Sequence, residues 1–255
     1  MLIRLGHRPE PDAAFMFRAL AEDRVDTRGF EFEPVLSDIQ TLNVWACEGR
    51  LEATAISLNT YPHVQDRYVL LPHGASMAIG HGPLVVAGRA LSHAQLRDVE
   101  IAVPGETTTA FLVLRMLLGD FRYRVVPSDA ILDEVAGGRA AAGLHALEGD
   151  ARGLETCVDL GEWWLLDTGL PLPLGVYVAR RDIGEKRLRD LSAVLRDSIQ
   201  AGLDRREDAD GLLGTYVNDY TCDYGDEGRQ AVRELLRRAE ALGVYDRAVS
   251  LEFVE

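Results

Sequence analysis

The sequence predicts an α/β fold with two lobes, because short apolar segments typical of buried strands alternate with amphipathic segments typical of helices. No segment between them has the composition of a flexible tether, so two lobes would be joined by ordered crossings. Two stretches flanked by glycine or proline, 86–93 and 170–176, are the candidate crossings. They predict a large discontinuous lobe of residues 1–92 and 174–255 and a small lobe of residues 93–173.

The first quarter of the chain predicts three strands and two helices. The strands are expected at 2–5, 30–36 and 52–61, and the helices at 13–21 and 38–50. Asp38 is a suitable N-cap for the second helix, and Gly49 would end it. The third strand has a continuous apolar run, which predicts that it is buried before it enters a turn.

The rest of the chain continues the alternation. Strands are expected at 82–88, 99–103, 123–127, 140–146 and 172–181, and helices at 108–118, 128–139, 185–206 and 226–243. Pro104 and Gly105 interrupt the segment between the second of these strands and the helix that follows it. Either Thr107 or Thr108 can cap that helix, whose apolar residues repeat at helical spacing.

Charge and composition limit the classes of partner. Against 41 Asp and Glu the chain has 27 Lys and Arg, a formal net charge of −14, without the basic stripe that nucleic-acid binding needs. It has no apolar run of the roughly 20 residues that span a membrane, and its N-terminus lacks the pattern of a secretory signal. We therefore expect a cytoplasmic monomer or homodimer whose partner is a small molecule, with neither nucleic acid nor membrane.

The sequence shows no pattern of a metal, redox or nucleotide site. The three cysteines are far apart and odd in number, which predicts reduced thiols. The histidines have no ligand spacing such as HxxxH, so we assign no metal. Neither a P-loop nor the GxGxxG or GxSxG motif occurs.

The segment "GETTTAF" (residues 105–111) is a candidate anion site. It follows a strand and opens a helix, where unpaired backbone N–H groups and hydroxyls bind carboxylates or phosphates. Helix capping by one threonine, with the others solvated, explains the same pattern. Both interpretations stay open at this point.

Two further segments carry polar side chains at the ends of strands. In "ISLNTYPHV", Ser57, Asn59 and Tyr61 alternate and would share one face of the strand end, where open α/β sheets bind ligands. Ordinary turn chemistry explains Asn59 equally well. In "GHRPEPD", Arg8 and Asp12 lie in the loop after the first strand, although Asp12 can also simply cap the next helix.

The pair Trp163–Trp164 has two interpretations as well. The rings could form a ligand wall, but packing in a core beneath the segment "GLPLPLG" is the favoured interpretation.

Several segments together resemble one family. They are "TLNVWACEGRLEATAISLNTY", "YVLLPHGASM", "GETTTAFLVLRML", "VDLGEWWLLDTGLPLPLG" and "YVNDYTCDYGDEGRQAV". They are similar to the menaquinone-biosynthesis family of the futalosine pathway, and closer to its 1,4-dihydroxy-6-naphthoate synthases than to its chorismate dehydratases. The resemblance runs almost from end to end, with "DLGEWW…TGLPLPLG" as its most specific motif.

The resemblance implies a fold, a reaction and a site. The fold would be that of type II periplasmic binding proteins, with a ligand cleft between two α/β lobes. The reaction would convert cyclic dehypoxanthinyl futalosine to dihydroxynaphthoate with release of a sugar-derived fragment, by proton abstraction and bond breaking without cofactor or metal. Substrate-binding residues carried over by position are Arg8, Asp12, Ser57, Asn59, Ser76, Thr107 and Thr108.

This chain departs from the family pattern inside the implied site. Arg8 stands where a serine is common, and Asn59 where a histidine is usual. The family's base lies in a His-Glu-Gly motif, and matching that motif through Glu148 places Leu147 at the position of the base. His145 lies two residues earlier, on the same side of an extended chain, and is the candidate replacement base. A hydrogen-bonded histidine inside the lobe is the alternative.

Three functions therefore follow from the sequence. The first is a dihydroxynaphthoate synthase-like lyase with His145 as a relocated base. The second is a binding protein that keeps the cleft and binds another small aromatic or carboxylic acid without chemistry. The third is a related enzyme with a chorismate dehydratase-type activity.

Overall fold

The structure, a computed structural model, describes residues 1–9, 11–145, 151, 153–204 and 217–255, and for residues 11–14 only the backbone. The strands of this part of the chain are β1 (Leu2–His7), β2 (Glu31–Leu36), β3 (Ala53–Ser57), β4 (Tyr68–Leu70), β5 (Ser76–Ala78), β6 (Leu84–Ala87), β7 (Glu100–Val103), β8 (Arg122–Val125), β9 (Ala142–His145), β10 (Glu155–Asp159) and β11 (Leu172–Arg180). They form two separate sheets, which confirms the predicted α/β class.

Helices connect or flank most of these strands. They are α1 (Pro11–Ala21), α2 (Ile39–Glu48), α3 (Tyr61–Val64), α4 (His93–Asp98), α5 (Thr109–Leu118), α6 (Ile131–Ala136), α7 (Leu160–Thr168), α8 (Glu185–Leu203), α9 (Asp219–Cys222) and α10 (Gly225–Ala241). Short 3₁₀ turns occur at Leu58–Thr60, Ser128–Ala130 and Arg181–Ile183.

The first sheet has the strand order β2-β1-β3-β11-β4, with β5 paired to β11 beside β4. β1 pairs in parallel with both β2 and β3, whereas β11 runs antiparallel to β3, β4 and β5. On the edge away from β3, the nine-residue β11 pairs with two strands in turn: its first half with β5 and its last three residues with β4.

The second sheet has the order β10-β6-β9-β7-β8. β7 is parallel to β8 and β9, and β6 is antiparallel to β9 and β10. The chain passes from the first sheet to the second between Ala78 and Leu84 and returns between Thr168 and Leu172. It thus enters the second sheet before the stretch 86–93, in which the sequence predicts the first crossing.

The predicted limits of the two lobes, at residues 92/93 and 173/174, stay a prediction. The strand memberships differ from them in one respect, because β6 precedes residue 93 and belongs to the second sheet. The second predicted crossing, at 170–176, overlaps the start of β11, where the chain has returned to the first sheet.

Capping residues explain where two of the site-forming helices begin. Asp38 accepts a hydrogen bond from the Thr41 N–H at 3.0 Å, and Gly49 ends α2 in the left-handed conformation, as the sequence predicts. Thr108 is the N-cap of α5 and accepts from the Phe111 N–H at 3.3 Å. The loop between β7 and α5 ends at this cap, and its Thr107 contacts α2, which flanks the first sheet.

The strand predicted within 52–61 enters its expected turn after Ser57, and the prediction that Asn59 and Tyr61 continue the strand is wrong. β3 ends there, Leu58–Thr60 forms a 3₁₀ turn, and α3 begins at Tyr61. Pro62 suits the first turn of a helix because its fixed φ is helical and its missing N–H is not needed there. Alternation along a strand therefore cannot place Asn59 and Tyr61 on the same face as Ser57.

Candidate functional site

A cavity of about 720 Å³ lies between the two sheets. From the first sheet it is lined by Ala55, Ile56, Ser57, Ser76, Leu174, Gly175, Val176 and Tyr177. From the second it is lined by Pro104, Thr108, Thr109, Ala110, Val125, Val126, Pro127, Ser128 and Asp129. A volume of this size and a mostly apolar wall with a few polar groups are typical of sites for small organic ligands.

A hydrogen-bonded group of four side chains joins the two walls. The Asn43 amide nitrogen lies 3.1 Å from Ser57 Oγ and 3.2 Å from Thr107 Oγ1, and its oxygen accepts from the Ser57 N–H at 2.8 Å. The Thr107 hydroxyl donates to Gln40 Oε1 at 2.8 Å. α2 thus supplies two amides that connect the end of β3 to the start of α5.

Close packing at Gly105 accompanies this group. A Cβ atom at Gly105 would lie 2.1 Å from Gln40 Oε1, so a side chain at that position would displace Gln40. The glycine that the sequence places after the strand therefore leaves room for the Gln40 side chain in the position from which it bonds Thr107. It lets the loop between β7 and α5 come close to the first sheet.

The N-terminus of α5 forms part of the cavity wall through Thr108, Thr109 and Ala110. The N–H groups in the first turn of a helix have no intrahelical acceptors and carry the positive end of the helix dipole. Such a terminus can hold a carboxylate. Thr108 caps the helix, as the second interpretation of "GETTTAF" has it, but Thr107 and Thr109 are hydrogen-bonded rather than solvated, and anion binding stays a prediction.

The structure brings four of the predicted substrate-binding residues to the cavity. Arg8, Ser57, Ser76 and Thr108 line it, and Thr107 contacts the wall through its bond to Gln40. The side chain of Asp12 lies outside the described residues. Their role in binding substrate stays a prediction.

Asn59 lies behind the wall rather than on it. It is 4% exposed and is not among the described residues that line the cavity. Its side chain bonds the Tyr245 hydroxyl and the carbonyl oxygens of Glu106 and Thr108. Tyr61 is fully buried, and its hydroxyl donates to the Ser250 carbonyl at 3.2 Å.

His145 ends β9 and is 5% exposed. It pairs with Leu84 of β6, and the preceding residue, Pro83, lines the cavity. His145 itself is not among the described lining residues, so it lies next to the cavity edge and below its surface. Leu147 and Glu148, on which the comparison with the family's motif depends, lie outside the described residues.

The tryptophan pair belongs to the core, as the favoured interpretation has it. Trp164 is fully buried and its indole N–H donates to the Pro171 carbonyl at 3.1 Å, while Trp163 packs partly buried against the same core. The described residues contain no group of three His, Cys, Asp or Glu side chains placed to hold a metal ion. None of the described helices is both long and apolar enough to cross a membrane.

Sequence reasoning missed Gln40, Asn43 and Tyr245. Gln40 and Asn43 lie three residues apart in α2, so they share one face of the helix, and this spacing was the available signal. Asn43 is fully buried, which a polar residue tolerates only when it is hydrogen-bonded. Tyr245 gives no local signal, because its partner is 186 residues away.

Comparison with known proteins identifies the relatives of this fold and site. A family model described as menaquinone biosynthesis matches residues 3–241. The chain is 42% identical over 262 residues to a protein of Thermus thermophilus named 1,4-dihydroxy-6-naphtoate synthase. The aligned region covers 95% of each chain.

Solved structures agree with this relationship. A crystal structure of a protein from Archaeoglobus fulgidus matches with a TM-score of 0.89 and 36% identity, over 96% of this chain and 98% of that one. A Candida albicans protein described as having the generic periplasmic binding protein fold matches with a TM-score of 0.68 at 13% identity, over 98% and 92% of the two chains. The chain therefore belongs to the menaquinone biosynthesis family and has the two-lobed periplasmic-binding-protein fold.

Proposed function

We propose that this protein is a 1,4-dihydroxy-6-naphthoate synthase, a lyase that acts on cyclic dehypoxanthinyl futalosine in menaquinone biosynthesis. The 42% identity to the Thermus thermophilus relative of that name, over 95% of both chains, supports this activity. The observation that carries the proposal is the cavity between the sheets, in which the N-terminus of α5 faces the polar group around Ser57. This is a suitable place for the carboxylate of a nucleoside-derived substrate.

In this proposal the cavity binds and orients the substrate. The first turn of α5 holds the carboxylate, and the hydrogen bonds of Asn43 fix the positions of Ser57 and Thr107 before the substrate arrives. Preorganised donors of this kind need no rearrangement during the reaction. Val126 and Val176, which are buried, form apolar parts of the wall, and a bound substrate that covers them would displace water from the reacting bonds.

We propose His145 as the general base. It lies at the end of β9 beside Leu84, and the residue before Leu84, Pro83, lines the cavity, so this role requires the imidazole to reach the substrate from the cavity edge. Neutral imidazole accepts a proton near pH 7 without help from a metal or cofactor. The cytoplasmic location and the monomeric or dimeric state expected from the sequence stay predictions.

The first prediction concerns His145→Ala. Purified protein should convert cyclic dehypoxanthinyl futalosine to 1,4-dihydroxy-6-naphthoate, and the variant should lose about 10²- to 10⁴-fold in kcat because general-base catalysis contributes that much. The measurement is product formation followed by liquid chromatography. His93→Ala is the matched control, since His93 is exposed at the start of α4.

Other outcomes would assign a different function. Full activity of His145→Ala would remove His145 from the mechanism. Release of water from chorismate, with no product from the futalosine derivative, would identify a chorismate dehydratase. Thermal stabilisation by another aromatic acid without turnover of either substrate would identify a binding protein.

A further inference from the structure

A chain of hydrogen bonds reaches the cavity wall from the C-terminal part of the protein. The Tyr245 hydroxyl donates to Asn59 Oδ1 at 2.9 Å. The Asn59 amide nitrogen lies 3.1 Å from the Glu106 carbonyl oxygen and 3.4 Å from that of Thr108. Both Asn59 and Tyr245 are buried, so these bonds are shielded from competition with water.

The acceptors fix the orientation of the Asn59 amide. The carbonyl oxygens of Glu106 and Thr108 can only accept, so the NH₂ group must face them and the amide oxygen must face Tyr245. The backbone N–H of Asn59 donates to Thr109 Oγ1 at 3.2 Å. Asn59 therefore uses its side-chain donors, its side-chain acceptor and its backbone donor in one network.

This network ends on the first turn of α5. Thr108, whose carbonyl accepts from Asn59, is the N-cap, and its hydroxyl and carbonyl receive the N–H groups of Phe111 and Leu112. Thr109 donates to the Leu174 carbonyl of β11 at 2.6 Å. The helix end that faces the cavity is thus attached to the first sheet at several points.

We propose that Tyr245 is a positioning residue that holds the ligand-binding end of α5 in place through Asn59. Tyr245 is not among the described residues that line the cavity, and its ring packs edge-on against His63 with the ring centroids 5.8 Å apart. Its influence on a ligand would therefore pass through the hydrogen bond from its hydroxyl to Asn59. The part of the inference that concerns the substrate rests on the function proposed above. The part that concerns the position of α5 does not.

The second prediction is that Tyr245→Phe weakens substrate binding more than catalysis. Removal of one hydroxyl should raise KM about five-fold while kcat stays within about two-fold, because the helix end holds the carboxylate equally before and during the reaction. Tyr68→Phe is the matched control, since the Tyr68 hydroxyl is equally buried and donates to the Leu51 carbonyl at 2.7 Å, away from the cavity. An equal rise of KM in both variants would show a merely structural effect and overturn the proposal.

A double variant tests the route through Asn59. In the Asn59→Ala background, Tyr245→Phe should have no additional effect on KM, because the residue that transmits its hydroxyl is gone. Full additivity of the two substitutions would contradict the proposed route.

Hydrogen exchange tests the position of α5 without any substrate. In the ligand-free protein, the Phe111 and Leu112 amides should exchange several-fold faster in Tyr245→Phe than in wild type, and at the wild-type rate in Tyr68→Phe. This readout holds even if the futalosine derivative is not the substrate, so a failure of the proposed function and a failure of this inference are distinguishable. Unchanged exchange in Tyr245→Phe would overturn the inference.

Discussion

At the scale of single residues, burial and neighbouring charges set the pKa of a buried histidine, His73. His73 is 4% exposed, and its ring nitrogen Nε2 lies 3.3 Å from the Ser192 hydroxyl of α8. Burial, with a smaller contribution from the Arg196 charge, lowers the pKa of His73 to about 4. The neighbouring carboxylates of Asp197 and Asp223 oppose this shift only in part.

The third prediction is that His73 makes the protein less stable in mild acid. Its pKa is about 4 in the folded state and about 6.5 in the unfolded state, so between these values only the unfolded chain binds the proton. Stability therefore falls as the pH decreases through 6.5, by about 2 kcal/mol between pH 7 and pH 5 from this residue alone. Urea unfolding at the two pH values measures it.

A variant without a titrating side chain isolates the contribution. His73→Gln should lose about 2 kcal/mol less than wild type over the same pH interval, whereas His93→Gln, at an exposed position, should follow the wild type. Parallel pH profiles of wild type and His73→Gln would disprove the assignment.

At the scale of elements, the start of α7 packs against the segment between Ala78 and Leu84, where the chain passes from the first sheet to the second. The Asp159 carboxylate caps the helix by accepting from the Gly161 and Glu162 N–H groups at 2.8 and 3.1 Å. A Cβ atom at Gly161 would lie 2.4 Å from the His81 carbonyl carbon, and one at Gly82 would lie 2.8 Å from the Gly161 nitrogen. Two glycines thus let two backbones touch without side chains between them.

The fourth prediction is that Gly161→Ala destabilises the protein by about 1–3 kcal/mol, the range for overpacking a tight contact, because the obstacle is backbone and cannot rotate away. The measurement is the free energy of unfolding in urea. Gly88→Ala is the control, since a Cβ atom there meets nothing within 4 Å. Equal stability of the two variants would show that the backbone at His81 and Gly82 shifts without cost to make room for the new methyl group.

At the scale of the whole molecule, the two sheets share one hydrophobic core. Ile56 and Leu58, at the end of β3 and just after it, belong to the same buried cluster as Val85 and Val103 of the second sheet. A further cluster lies on the first sheet beneath α1 and α8. Since the common cluster contacts both sheets, neither lobe can lose its packing alone.

The fifth prediction is a single cooperative unfolding transition. Loss of either sheet would expose the shared cluster, so the calorimetric and van't Hoff enthalpies of unfolding should agree. Differential scanning calorimetry measures both. Two resolved transitions would show that the lobes unfold independently.

Local sequence patterns predicted the elements whose determinants are local. The cap at Asp38, the stop at Gly49 and the start of α5 after Pro104 and Gly105 follow from capping and turn preferences within a few residues. The three-residue strands β4 and β5 and the six-residue α4 were not predicted, because elements this short have almost no periodicity to detect. The longer β10 and α7 were not predicted either.

By itself the sequence determined the α/β class, the family resemblance that the comparisons confirm, and four of the polar residues that line the cavity. Only the tertiary structure decided the rest: Asn59 supports the wall from behind, Gln40 and Asn43 join it, and Tyr245 reaches it from 186 residues away. The physical reason is that periodicity and capping act over a few residues. Which buried donor meets which acceptor depends on how the two sheets come together.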